Sequence, residues 1–350
     1  MRVDERGLRR RALLAAGALA LTGLMSAFAP RADAVGAEGA LAGLPAPTGP
    51  YAVGTTTRHL VDTARKDPWR PERGPREVMV SFWYPADRAE AHAGRPTAPH
   101  MEERAATHFG SSDGAGHRGY GVPAGAADWA GTRTHARVDA PAVRDGGAHP
   151  VVLYSAGLGD PRTWNTSLVE DLASRGYVVV TVDHTHDASE VALPGGRLAT
   201  SVLPALAEQP GTDAAAVLRT AMKARVDDTR FVLDTLGGRA HRPVLPRGLA
   251  DAMDLRHVGM VGHSAGGFTA LEALHADRRI SAAVNMDGTM EYPGEGDLAD
   301  RLGAAAPSRS AWTGRSCSWG RTPRTPASTA GSPRGRRCGS TRAAGAATSR

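Results

Sequence analysis

The sequence G-H-S-A-G-G at positions 262–267 most constrains how this chain can fold, because it directly follows a short apolar run. Residues 257–261 predict a buried strand, and residues 265–276 predict a helix with Phe268, Leu271 and Leu274 at helical spacing. A serine in so tight a turn has strained backbone geometry and an exposed hydroxyl, and its neighbours must be glycine because side chains there would collide. A plain Gly-Ser turn is the alternative, but the strand-to-helix setting favours Ser264 as a nucleophile.

Strand and helix patterns alternate through the middle of the chain. Strands are predicted at 78–84, near 134–138, and at 151–155, 177–182, 257–261 and 280–286; helices are predicted at 163–175, 213–236 and 265–276. Leu168 and Leu172 mark the apolar face of the first helix, while the rest of 85–150 is predicted to be insertion and loops. Strands separated by helices predict an α/β fold with a mainly parallel sheet covered on both faces.

The first residues are predicted to be a signal peptide, covering 1–34. Arg6, Arg9, Arg10 and Arg11 precede an uncharged apolar stretch at 12–29, and A-D-A at 32–34 offers a cleavage site. The stretch is shorter than the roughly 20 residues that a stable membrane span needs. It also fits a twin-arginine signal. We therefore expect an exported, secreted protein whose folded domain covers residues 35–302.

Residues 303–350 differ from everything before them. They hold nine arginines, no acidic residue and no Leu, Ile, Val, Met or Phe, so the basic balance of the chain (net +6) belongs to this tail. The folded part is thus predicted to have no nucleic-acid partner. Cys317 and Cys338 also lie in the tail, so neither a disulfide framework nor a thiolate metal site is predicted for the domain.

Two interpretations of the tail stay open. It is a basic arm for polyanions, or it is not native sequence, as after a shift of reading frame. Because its side chains bury too little apolar surface to offset the entropy of ordering, we expect no strand there. The sheet would then be incomplete at its C-terminal side, with the 280–286 strand as an exposed edge.

Two further positions complete a site for acyl transfer. The oxyanion needs the backbone N–H of Ala265 and a second N–H from a glycine-rich turn after an earlier strand, which S-A-G-L-G at 155–159 provides. The acid should follow the nucleophile at a strand end, as Asp287 does. The alternative interpretation of 155–159 is a plain strand-to-helix connection. The alternative for Asp287 is a helix-capping or turn residue beside Gly288 with no catalytic role.

These motifs resemble the platelet-activating factor acetylhydrolase family of α/β-hydrolases, especially its secreted bacterial esterase or lipase-like members. The resemblance rests on V-V-L-Y-S-A-G-L-G at 151–159, D-L-A-S-R-G-Y at 171–177 and the 262–267 motif, and it extends from about Tyr51 to Tyr292. It implies Ser264 as nucleophile, Asp287 as triad acid and the amides of Leu158 and Ala265 as oxyanion hole. Ala156 stands where family members often have histidine.

The sequence departs from the family in its catalytic base. The family places a histidine after the acid, but the last histidine of this chain is His275, before Asp287. His263 is expected to pack inside, His257 to be structural, and His184 and His186 to lie near the catalytic edge.

The sequence thus predicts a secreted serine hydrolase for lipid or short acyl esters that uses neither metal nor cofactor but lacks its catalytic histidine. A non-catalytic secreted binding protein and a peptidase on the same fold are the alternatives.

Overall fold

A mixed, mostly parallel sheet forms the larger of two units in the computed structural model, which describes residues 43–144, 147–238, 243–290, 292 and 315–319. The strands are β1 (Ala52–Lys66), β2 (Pro75–Ala86), β3 (Thr97–Pro99), β4 (Arg133–Val138), β5 (His149–Ser155), β6 (Val178–Asp183), β7 (Glu190–Leu193), β8 (Arg197–Thr200), β9 (Met253–His263), β10 (Ile280–Met286) and β11 (Arg315–Trp319). Within the described residues nine of them form one sheet in the order β11-β10-β9-β5-β6-β2-β1-β4-β3, while β7 and β8 form a separate hairpin.

The parallel part of this sheet runs from β6 through β5, β9 and β10 to β11. Strands β1, β2 and β6 are joined by antiparallel pairing, so the sheet is mixed at one side. All six residues of β6 are buried, as expected of a central parallel strand that is covered on both faces. The predicted α/β fold class is confirmed.

Eight helices accompany the strands in the described residues. They are α1 (Arg88–His92), α2 (Glu103–Phe109), α3 (Ala115–Arg118), α4 (Thr166–Ser174), α5 (Leu203–Glu208), α6 (Ala214–Leu236), α7 (Leu249–Ala252) and α8 (Ala265–Ala276). Asp213 caps the longest, α6, by accepting hydrogen bonds from the N–H groups of Ala215 and Ala216.

Successive residues of β5 point into different cores. Val151 and Leu153 belong to a large apolar cluster with residues of α6, α7 and α8, whereas Val152 and Tyr154 pack with residues of α4. The alternation is the period-2 geometry of a strand whose two faces are both covered. Helices therefore flank both faces of the sheet.

The smaller unit contains the described segment 101–132, with helices α2 and α3. Glu102 caps α2 through the N–H groups of Arg104 and Ala105. Inside this unit the Phe109 ring lies 5.0 Å, centroid to centroid, from the ring of Trp129. The region expected to be loops and insertion thus contains short helices and the strand β3.

The tail differs from its prediction. Strand β11 pairs in parallel with β10, from Ala282 with Arg315 to Met286 with Trp319, so β10 is not the exposed edge we expected. A ladder is built from backbone N–H and C=O groups and does not require apolar side chains, which is why the composition of the tail misled the prediction. The pairing counts against a tail of foreign sequence; the other residues of 303–350 lie outside the described residues.

The predicted signal peptide also lies outside the described residues. Among the helices that the structure does describe, none has both the length and the apolar character needed to cross a membrane.

Candidate active site

Ser264 occupies the turn between β9 and α8. Its backbone has φ 53° and ψ −123°, a left-handed conformation that costs a residue with a side chain about 1–3 kcal/mol. The Ser264 N–H donates to the carbonyl of Met286 at 2.9 Å, and the Ser264 carbonyl accepts from Gly267 N at 2.9 Å. The side chain is partly exposed. The strand, the sharp turn and the helix are all present as the motif predicted.

Two of the flanking glycines are required by close backbone contacts. A Cβ at Gly262 would collide with the backbone of Gly266 in the first turn of α8. A Cβ at Gly266 would collide with the carbonyl oxygens of Ser155 and Ala156. The predicted need for glycine is therefore confirmed, and the second contact brings the start of α8 directly against the end of β5.

The glycine-rich turn follows β5 at this contact. Among the described residues the Leu158 N–H has no hydrogen-bond acceptor, and the Ala265 N–H, at the first position of α8, has none within the helix. The side chains of Leu158 and Ala265 pack against one apolar cluster that includes Phe268. Both predicted oxyanion donors thus belong to the same end of the sheet and remain available.

Asp287 follows β10 in a turn that touches the Ser264 turn. It has φ 59° and is exposed. The amide of Asn285 holds the turn: its Oδ1 accepts from Gly288 N at 2.8 Å and its Nδ2 donates to the Gly288 carbonyl at 2.8 Å. Within the described part of the chain, the Asp287 carboxylate has no hydrogen-bond or ion-pair partner.

The histidine next to the serine does not pack inside, contrary to our expectation. The His263 side chain is 42% exposed, and its Nδ1 lies 3.9 Å from the carboxylate of Asp160. Gly157 has no side chain to displace the ring, which lies 3.4 Å from where a Cβ of Gly157 would stand. The ring therefore lies over the glycine-rich turn.

The other histidines lie elsewhere. His257 is within β9, with Nδ1 2.6 Å from Asp254, and not at the start of a strand. His186, just after β6, is buried and contacts Asp67 at 3.1 Å. His275 is in the last turn of α8.

His184 belongs to a buried Ser-His-Asp chain that the sequence did not predict. Its Nε2 lies 3.0 Å from Ser155 Oγ and its Nδ1 lies 3.0 Å from Asp228. Desolvation lowers the pKa of His184 more than the hydrogen bond that it donates to Asp228 raises it. Although these contacts copy a catalytic triad, Ser155 is only 1% exposed and no substrate reaches it.

Buried arginines complete this polar network. Arg76 donates to Asp228 at 2.7 and 3.1 Å and to Asp67 at 2.7 Å. Burial alone would raise the pKa of Asp67, but the hydrogen bond from His186 and the charge of Arg76 lower it to about 2. Arg225 forms a second pair with Asp187, at 2.6 and 2.8 Å. No motif marks these residues, because Asp228 lies 152 positions from Arg76 and Asp187 lies 38 positions from Arg225.

A cavity of about 200 Å³ lies beside the β7–β8 hairpin and away from Ser264. Its lining includes Glu77 and Arg197, which pair with each other at 2.7 Å, and Asp67 and His186, which also form a pair. These four groups are thus paired with one another, while Arg73 also lines the cavity.

Comparisons with known proteins find similarity to esterases. The family described as platelet-activating factor acetylhydrolase, isoform II, matches residues 37–193. A solved structure titled ferulic acid esterase, from Streptomyces cinnamoneus, is similar at 38% identity and a TM-score of 0.55, covering 70% of this chain and 62% of its own. The chain has an α/β-hydrolase fold and is similar to platelet-activating factor acetylhydrolases.

Curated relatives of this α/β-hydrolase have related names. A probable 1-alkyl-2-acetylglycerophosphocholine esterase from Arthroderma benhamiae is 29% identical over 249 residues, which is 70% of this chain and 58% of the relative. A platelet-activating factor acetylhydrolase from Canis lupus familiaris is 28% identical over 165 residues, 42% of this chain and 37% of the relative. The chain thus spans less than two thirds of the length of these relatives.

Proposed function

We propose that the chain is built to hydrolyse carboxylic esters through an acyl-serine intermediate on Ser264. The observation that carries the proposal is the strained, partly exposed position of Ser264 between β9 and α8, near two backbone amides that have no acceptor within the described part of the chain. Strain of this kind is retained where the surrounding structure requires it, as in the nucleophile turn of α/β-hydrolases. The esterase names of the relatives support the same reaction class.

In the proposed reaction the Oγ of Ser264 attacks the ester carbonyl. The N–H groups of Leu158 and Ala265 donate to the resulting oxyanion, and Asp287 orients a histidine that takes the serine proton. The tetrahedral intermediate then collapses: its C–O bond to the alcohol breaks, and the alcohol leaves with the proton that the histidine returns. Water hydrolyses the acyl-serine with the same residues, releasing the carboxylic acid and restoring the serine. Binding and proton transfer need only side chains and backbone amides, so the proposal includes no metal or cofactor.

The histidine is the missing part of this scheme. No histidine follows Asp287 in the sequence, and each described histidine discussed above either has another partner or belongs to another part of the fold. Without a base, the oxyanion hole and substrate binding would still give a residual rate far below that of a complete triad. We therefore expect slow turnover from the chain as it stands.

The substrate class follows from the surroundings of the two amides. Leu158 and Ala265 pack with Phe268 and partly buried Trp69 and Leu218, which form an apolar wall. Such a wall suits an acyl or aryl group better than a charged one. Since one relative is titled ferulic acid esterase and others are acetyl ester hydrolases, we propose a small acyl or aromatic ester.

The test compares two serines. Hydrolysis of 4-nitrophenyl acetate and methyl ferulate would be measured for the parent, for Ser264→Ala and for Ser155→Ala, with unfolding midpoints as the folding control. We expect slow hydrolysis that is abolished only by Ser264→Ala. Equal rates in the parent and Ser264→Ala would reject Ser264, and loss of activity in folded Ser155→Ala would point to the buried Ser-His-Asp chain.

A non-catalytic secreted binding protein is the second candidate, and the missing histidine favours it. The coding DNA distinguishes the esterase from the binding protein. A Gly-His or Ala-His loop and apolar strands in another reading frame beyond position 305 would support the esterase; their absence would support the binding protein.

Export is part of the proposal. The arginine cluster, apolar stretch and A-D-A site at 1–34 support cleavage before Val35. N-terminal sequencing of the secreted protein would test this, since a retained N-terminus on the mature chain contradicts it.

A further inference from the structure

The buried guanidinium of Arg225 lies beneath the glycine-rich turn. From α6 it donates to the carbonyl oxygens of Ala156 at 2.7 Å and Gly157 at 2.8 Å, and more weakly to Ser155 Oγ at 3.4 Å. Its remaining donors form the two bonds to Asp187 described above. A guanidinium has five N–H groups, and these five contacts occupy all of them.

Two hydrogen bonds to the Gly157 carbonyl fix the direction of the Leu158 amide: Arg225 donates at 2.8 Å, and the N–H of Asp160 donates at 3.1 Å. The Gly157 carbonyl and the Leu158 N–H belong to one peptide unit, and no cis peptide bond occurs in the described residues. In a trans peptide the C=O and the N–H point to opposite sides. Because Arg225 holds the carbonyl, the Leu158 N–H is directed away from the guanidinium.

The neighbouring peptide units are fixed as well. Asp187 Oδ1 accepts from the N–H of Gly159 at 3.1 Å, which holds the peptide after Leu158. On the other side, the carbonyl of Ala156 is held by Arg225 and lies against Gly266 at the start of α8. The Leu158 N–H is therefore the donor that this frame leaves free for a ligand.

We infer that the Arg225–Asp187 pair is the positioning device of the oxyanion hole, which it serves by setting the orientation of the Gly157–Leu158 peptide. This inference rests on the proposed function, since it assigns the Leu158 amide to the oxyanion. Arg225 touches no reacting atom and acts through Leu158. A cation on the carbonyl also polarises the peptide and makes its N–H a stronger donor, a benefit that grows with the negative charge on the acceptor.

The alternative is that the pair only stabilises the fold. Replacing Arg225 by lysine separates the two roles, because one ammonium keeps the charge beside Asp187 but cannot hold both carbonyls in the planar, forked geometry of arginine. Arg65→Lys is the matched control. Arg65 also donates to a buried carboxylate, that of Asp228 at 2.9 Å, yet it contacts neither carbonyl of the turn.

The experiment uses 4-nitrophenyl acetate for turnover and n-butylboronic acid, which forms a tetrahedral adduct with serine, for affinity by calorimetry. For Arg225→Lys we expect kcat and boronate affinity to fall about tenfold or more, a fraction of the effect of deleting an oxyanion donor, with KM nearly unchanged. Arg65→Lys should leave kcat and boronate affinity within about twofold of the parent values. Folded Arg225→Lys with parental kcat and boronate affinity would overturn the inference, as would equal losses in both variants.

A readout independent of activity completes the test. The ¹H–¹⁵N signal of Leu158, in protein labelled with ¹⁵N-leucine, should shift in Arg225→Lys and stay in place in Arg65→Lys. If Ser264→Ala hydrolyses like the parent, the proposed function fails, and an unmoved Leu158 signal would then reject the positioning role separately. If Arg225→Lys does not fold, Asp187→Asn is used in its place. The single side-chain oxygen of asparagine cannot bind the guanidinium at two points, so the Leu158 signal should shift in this variant too, but less than expected for Arg225→Lys.

Discussion

The backbone N–H of Ser264 donates to the carbonyl of Met286, at 2.9 Å. This bond joins the turn that carries the proposed nucleophile to the residue just before Asp287. A second close contact supports it, because Gly288 lies so near the Ser264 carbonyl that no Cβ would fit there. The two turns are thus one structural unit, although Ser264 and Asp287 belong to different strand ends.

Asn285 is expected to control the Asp287 turn. Asn285→Leu removes both bonds to Gly288 and leaves the partly buried N–H and C=O of Gly288 without these partners, at a cost of about 1–3 kcal/mol. Hydrogen exchange should show loss of protection at the Gly288 amide. Asn285→Asp keeps the acceptor and should keep that protection; loss in both variants would argue against the role of Oδ1.

Gly266→Ala is expected to push α8 away from β5. The new methyl group would meet the carbonyl oxygens of Ser155 and Ala156, and overpacking of this kind costs about 1–3 kcal/mol or more. Urea unfolding would measure the loss. Gly259→Ala in β9 is the matched control, because its Cβ would stand 3.6 Å from the Ala282 carbonyl, an ordinary contact. Equal stability of the two variants would contradict the close approach.

Arg76→Met is expected to destabilise the protein by about 3–5 kcal/mol, since it leaves the carboxylates of Asp67 and Asp228 buried without their shared partner. Arg175→Met breaks an exposed pair with Asp171 and should cost less than about 1 kcal/mol. Urea unfolding of both variants at pH 7 makes the comparison. A small loss for Arg76→Met would mean that the network is hydrated in solution.

Stability is expected to fall on acidification below the ordinary histidine range, partly because of His100. Burial lowers the pKa of His100 from 6.5 to about 4, so the unfolded chain binds this proton before the folded chain does. The stabilisation is present above pH 6.5, falls steadily as the pH drops from 6.5 to about 4, and is gone below about 4; about 2 kcal/mol of it is lost between pH 7 and 5.

His100→Leu should therefore reduce the difference in unfolding free energy between pH 7 and pH 5. Part of this pH difference should remain in His100→Leu, because burial also lowers the pKa of His184. His117→Leu, at an exposed position, is the control and should leave the pH dependence unchanged. An unaltered pH dependence in His100→Leu would show that this histidine is hydrated.

The sequence predicted best those elements whose apolar pattern is uninterrupted. The bounds of α8 and β10 agree with the prediction, and β5 and β6 differ by one or two residues. Strand β1 was missed because polar residues interrupt its alternation, and it is held by long antiparallel pairing with β2. In α4, Val169 and Ala173 are buried while the predicted Leu168 and Leu172 are only partly so.

The candidate site also has one part that could be predicted from the sequence and one part that could not. The Ser264 turn could be predicted because its glycines and its strand-to-helix setting are local in sequence. Arg225 could not, because its acceptors at Ala156 and Gly157 lie in another part of the chain and only the fold brings them together. The strand β11 escaped prediction for a different reason: the backbone groups that pair it with β10 are the same in every residue type.

The parallel pairing of β5 with β9 has a consequence for the order of folding. It joins residues roughly a hundred positions apart, whereas β1 and β2 are neighbours in the chain, and distant pairings form more slowly. One half of the site ends β5 and the other half ends β9. During refolding a collapsed chain without this pairing therefore has neither the proposed nucleophile turn nor the proposed oxyanion hole assembled, so reactivity at Ser264 is expected to report the completion of the slow step.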